Sequence, residues 1–171
     1  MKRFAGIAVA LCLTVLPAYP QQSATKLRVV TAPGVTKLDQ KDWNNTLTIT
    51  GQDLVLDCKK CSPIQTVTVP VASIAALHYG QNAYHHWAAG IAAGVLSLGV
   101  GLIVGLMPHH QHFFSIDEKD GKVLGIQADK GDYRDIARML QQSTSLPIEV
   151  TSKDAHFLNG YNTKVVDSGA K

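Results

Sequence analysis

Two groups of residues in this chain have types and spacings that could do chemistry. The first is histidine: His85 and His86 stand at one end of an apolar run, and His109, His110 and His112 at the other. Brought together, these imidazoles would offer nitrogen ligands for zinc, copper or nickel. Held apart, they are polar residues at the two borders of the run. The second group is the pair Cys58 and Cys61 in Asp57-Cys58-Lys59-Lys60-Cys61-Ser62-Pro63. A CxxC pair can be a disulfide staple, a free or metal-linked pair, or a redox centre. The segment before it, Asp53 to Asp57, reads as a strand, and Ser62-Pro63 after it opposes a helix. A reactive thiolate is favoured at a helix start, so the disulfide reading leads, with a free or metal-linked pair and then a redox centre as the alternatives.

No further catalytic constellation is framed by a recognisable motif. Ser115 and Asp117 lie near histidines, but no nucleophile elbow, HExxH or phosphate-binding glycine loop surrounds them. The expectation is a noncatalytic protein with no cofactor.

The elements that must position these groups begin with an export signal. Met1-Lys2-Arg3 is basic, Phe4 to Leu16 is apolar and uncharged, and Pro17-Ala18-Tyr19-Pro20 follows, which is the layout of a secretory signal peptide over residues 1–20. Cleavage is expected between 19 and 24. Losing Lys2 and Arg3 lowers the formal charge from +3 to +1. A nearly neutral exported chain lacks the basic footprint of a nucleic-acid binder. It is expected in the periplasm or the cell envelope, where a disulfide persists.

Residues 21–43 read as a mixed N-terminal segment, with Leu27 to Val30 a short strand and Pro33-Gly34 a turn. Thr46 to Thr50 alternates with period 2, Gly51-Gln52-Asp53 turns, and Leu54 to Leu56 resumes, which predicts a hairpin. Val67, Val69 and Val71 share one face of the next strand, and Pro70 disturbs its end. After the apolar run, His112 to Asp117 and Lys122 to Gln127 flank Asp120-Gly121, a strong hairpin signal. Tyr133, Ile136, Ala137 and Leu140 then take helical spacing, with Asp132 at a position where a carboxylate suits the helix dipole. Residues 151–171 show no periodicity and read as a mobile tail.

The order implies an α+β fold: a bent antiparallel sheet or partly open barrel capped by a C-terminal helix. Over residues 44–150, TLTITGQDLVLD, VTVPVASIAALHYG and FFSIDEKDGKVLGIQADKGDYRDIARMLQQSTSLPIEV resemble bacterial pleckstrin-homology-like domains of the GRAM-related kind. The resemblance rests on hydrophobic patterning, on Val69, Pro70 and Ile74, and on Gly131 to Arg134. It implies fold more than function. Such domains bind phosphoinositides, lipids or peptides through cations between the first two strands, and Gly51-Gln52-Asp53 carries none, so inositol-phosphate binding does not transfer.

The apolar run over 85–112 interrupts that domain as a helical insertion. Residues 87–107 carry no charge, and a straight helix of that length spans about 31 Å, the thickness of a bilayer's hydrocarbon. Trp87 fits an interfacial position. Ala89, Ala93, Ser97, Gly101 and Gly105 form a small-residue stripe, and Gly90 and Gly94 a second, suited to close helix packing and self-association. Three placements follow: a transmembrane helix, a hairpin or surface helix returning to its starting face, and burial within the protein or an oligomer. One span would separate the flanking strands, whereas a return leaves them free to form one domain. The functional expectation is a membrane-associated module using 87–107 for lipid contact or self-association. The alternative is a periplasmic metal-binding protein using the five histidines.

Overall fold

The computed structural model describes residues 21–39, 41–63, 66–81 and 111–166. Among them, alternating apolar residues build one nine-stranded sheet in the order β4-β3-β2-β1-β7-β6-β5-β8-β9. The strands are β1 (Gln22–Thr31), β2 (Asn45–Ile49), β3 (Asp53–Asp57), β4 (Thr66–Pro70), β5 (Ile74–Gly80), β6 (His112–Glu118), β7 (Val123–Ala128), β8 (Ile148–Val150) and β9 (Thr163–Val165). The helix α1 (Tyr133–Thr144) lies between β7 and β8.

The meander β2 to β4 forms for the reason its sequence states. Leu47, Ile49, Leu54, Leu56, Val67 and Val69 are buried on one face, while Thr66 and Thr68 face solvent. The register Leu47↔Leu56 and Leu56↔Val67 stacks these residues across three strands. Asp120-Gly121 makes the turn between β6 and β7, with Gly121 at φ 85°, a conformation that suits glycine. A 3-10 turn over Val71–Ser73 carries the chain from β4 to β5.

Residues 21–43 are not a separate segment preceding the domain. They supply β1, which lies in the middle of the sheet. Its first half pairs with β2 and its second with β7, and the register shifts between Thr25 and Leu27. Lys26 stands at that shift with φ 63°. A bulge of this kind bends a strand, and here it lets one strand serve two partners. The domain therefore begins near Gln22 rather than at residue 44.

The expectation of an antiparallel sheet with a C-terminal helical cap is overturned in two ways. The sheet is mixed, because β8 runs parallel to β5 and β9 parallel to β8. The helix is followed by both of those strands, so it is not the last element. Strands of three residues are too short to show a period, which is why their sequence reads as irregular. Residues 151–166 are likewise no mobile tail: they form a 3-10 turn (Ala155–Leu158) and β9, with Leu158 buried.

The helix packs on β1, β2 and the 3-10 turn before β5. Ile136, Ala137, Met139 and Leu140 join the common core. Asp132 takes the N-cap position but its side chain makes no capping hydrogen bond. Burial, and then Asp129 nearby, raise its carboxyl above the ordinary range, so the expected benefit at the dipole is offset.

Among the described residues no helix is long and apolar enough to cross a membrane, and α1 is the α-helix found there. This corrects the expectation of a transmembrane helix and of a small-xxx-small helix. The helical insertion, with Trp87, Ala89, Gly90, Ala93, Gly94, Ser97, Gly101 and Gly105, lies outside the described residues apart from its last two positions, Gln111 and His112.

Candidate functional site

Strands β5 and β6 flank the apolar run, and they are neighbours in the sheet. Their antiparallel register aligns Leu77 with Ile116, His78 with Ser115, Tyr79 with Phe114 and Gly80 with Phe113. The chain thus departs after Gly80 and arrives at His112 at the same end of the sheet. Strands on opposite sides of a bilayer cannot share a hydrogen-bond ladder, so this pairing excludes a one-way crossing between them.

On the core side, the point of departure is closed by rings. Tyr79, Phe114, His112 and Tyr133 are all buried. The Tyr79 hydroxyl and His112 Nδ1 share a hydrogen bond of 2.6 Å. The His112 ring stacks on Tyr133 with centroids 3.8 Å apart and an interplanar angle of 2°, and Phe157 meets it edge-on at 5.8 Å. Tyr79 also packs on Phe114 at 5.2 Å. Burial, and secondarily Tyr133 and Asp154, push the Tyr79 hydroxyl well above its ordinary range, so it stays a neutral phenol. This cluster is packed like a core and holds the two strand ends together.

Of the five histidines proposed as metal ligands, His85, His86, His109 and His110 lie outside the described residues. His112 is described, and its Nδ1 is engaged with Tyr79. Among the described residues, no three His, Cys, Asp or Glu side chains are grouped to hold a metal ion.

The opposite face of the same strands carries a polar row that spacing alone did not reveal. Ser115, His78, Glu149 and Lys164 are successive partners across β6, β5, β8 and β9. His78 Nε2 lies 3.2 Å from Asp117 Oδ2, and its Nδ1 lies 3.4 Å from Glu149 Oε2. The Ser115 hydroxyl donates to Asp117 Oδ1 at 2.6 Å, and Lys164 Nζ donates to Glu149 Oε1 at 2.8 Å. Ser115, Asp117 and a histidine therefore do meet, but in the wrong order for nucleophilic catalysis. A triad needs the histidine between the serine and the acid. Here the acid stands between them, and the serine donates to it.

Cys58 and Cys61 are joined by a disulfide in the turn between β3 and β4, and both are buried. No helix starts at the pair, and the burial removes the access that a redox-active cysteine needs. The turn is held from below by Asn45, itself 1% exposed. Asn45 Nδ2 donates to the carbonyls of Leu27 and Asp42, and its Oδ1 accepts the N–H of Lys59. The geometry fits a structural staple.

Compared with protein-family models and with curated proteins, the chain matches none at a significant level.

Proposed function

We propose that this protein is a noncatalytic, exported, membrane-associated module in which the sheet presents residues 87–107 to lipid from one side. The observation that carries this reading is the pairing of Gly80 with Phe113, which returns the apolar run to its starting point. Residues 87–107 carry no charge, and the strands that flank them lie side by side, so that the chain leaves and returns at one end of the sheet. Such a segment contacts one leaflet without crossing. The remainder of the described surface is poor in membrane-binding features: Val165 is its one large exposed hydrophobic residue. Kinship with pleckstrin-homology-like domains belongs to the same proposal. It is supported by seven antiparallel strands, β4 to β5 across the sheet, whose chain passes from β7 directly into a helix.

Because Gly80 and Phe113 are already opposed, a short turn can close the gap that removing the segment leaves. Replacing residues 82–110 with a four-residue Asn-Gly-containing turn should leave the sheet folded by circular dichroism and move the protein from the membrane fraction to the soluble fraction. Retention of the folded variant at the membrane, or full solubility of the unaltered exported chain, would reject the proposal.

A further inference from the structure

The row of polar residues on the outer face has a consequence that goes beyond membrane contact. We propose that His78, clasped between Asp117 and Glu149, is a pH-operated latch holding the parallel edge β8–β9 to the antiparallel body of the sheet. The geometry points to a particular protonation state. Both ring nitrogens face carboxylate oxygens, Nε2 at 3.2 Å and Nδ1 at 3.4 Å. A neutral imidazole has one N–H and would turn a lone pair toward one of the two acids; the imidazolium carries an N–H on each nitrogen and its charge is attracted by both carboxylates.

The acids belong to different elements. Asp117 is on β6, where Ser115 orients it, and Glu149 is on β8, where Lys164 of β9 holds its other oxygen. These are the charged and titratable groups that face His78 among the described residues, since its neighbours on its own face of β5 are Ala76 and Gly80. The chain of contacts runs Ser115, Asp117, His78, Glu149, Lys164 across four strands. Strand β9 is the edge of the sheet and β8 is next to it; each has three residues, so few ladder hydrogen bonds hold them and a side-chain clasp weighs more there than among the longer strands. Burial opposes the charge on His78, and the Lys164 ammonium opposes it more weakly, but the hydrogen bond and charge of Asp117, followed by Glu149, outweigh both and hold the imidazolium above its ordinary range.

A group whose pKa is higher when the latch is closed gives up its proton on opening. The closed form is therefore fully favoured below the opened-state pKa. Opening rises by up to about tenfold per pH unit between the opened and closed values, and the contribution is lost above both.

The test uses the full mature chain. Histidine ring nitrogens are followed by NMR across pH, with His78 assigned by its loss in His78→Gln. Amide exchange, corrected for intrinsic chemistry, is read at residues 148–150 and 163–165, with β2 and β3 as internal controls. The expected result is a His78 titration above the ordinary histidine value that moves downward in Glu149→Gln and in Asp117→Asn. Exchange at β8 and β9 should accelerate as pH rises through it, and His78→Gln should remove that acceleration. If His78→Gln does not fold, Glu149→Gln gives the same reading on the exchange. A His78 titration at or below the ordinary value, or the same pH dependence of β8–β9 exchange in the variants as in the parent, overturns the latch.

Discussion

The hydroxyl of Tyr79 and Nδ1 of His112, 2.6 Å apart, join the penultimate residue of β5 to the first residue of β6. The bond closes the base of the apolar segment on the core side, where both residues are buried. Tyr79→Phe keeps the ring contacts with Phe114 and Tyr133 but removes the hydroxyl. The expected loss is about 1–3 kcal/mol, the usual result of taking away one partner of a buried hydrogen bond. Urea unfolding with an unchanged slope measures it; a loss near zero would show that the bond contributes nothing at the base.

The disulfide should behave as a staple. Replacing Cys58 and Cys61 by serine removes a crosslink closing a very short loop, for which chain entropy gives about 2 kcal/mol. Membrane association of the folded double variant should be unchanged, because the pair lies in the β3–β4 turn and the segment leaves from β5. Insulin-reduction activity from the parent protein would contradict the structural role.

Asn45 has two carbonyls and one N–H as partners, from β1, the loop before β2 and the disulfide turn. Asn45→Ala leaves those groups short of partners in a buried place, with an expected cost of about 3 kcal/mol. Asn45→Asp is the sharper variant. It keeps the shape and the acceptor for Lys59 but turns carboxylate oxygen toward the carbonyls of Leu27 and Asp42. Its midpoint in urea should fall below that of the parent and rise as pH drops and the new carboxyl protonates.

Stability should also decline on the acid side. Burial raises the Asp117 carboxyl, but the bonds from His78 and Ser115 outweigh it and hold the group below the usual carboxylate range. Its contribution is present above the unfolded carboxyl pKa and is lost as pH falls through the depressed folded value. Thermal midpoints followed downward from pH 5 should therefore fall less steeply in Asp117→Asn than in the parent. Parallel slopes would show that Asp117 does not account for the acid limb.

Several elements were legible because their residues repeat at the period of the structure they form. Leu47, Ile49, Leu54 and Leu56 alternate, so β2 and β3 are written in their own sequence. The period of Tyr133, Ile136, Ala137 and Leu140 marks α1, and Asp120-Gly121 marks its turn. The stretch Gln22 to Thr31 was less legible, because the bulge at Lys26 breaks its alternation and its two halves answer to different neighbours. Strands β8 and β9 were not legible, since three residues hold less than two periods.

The sequence by itself determined the apolar run, the CxxC spacing, the alternating strands and the helical face, all of which depend on residues close along the chain. Only the tertiary structure decided that Gly80 opposes Phe113, that Asn45 supports the disulfide turn, and that His78 stands between Asp117 and Glu149. These relations depend on strand order and register, which are set by how separate apolar faces share one core. A one-residue slip of β6 or β8 would turn Asp117 or Glu149 to the other face of the sheet and leave His78 without that acid.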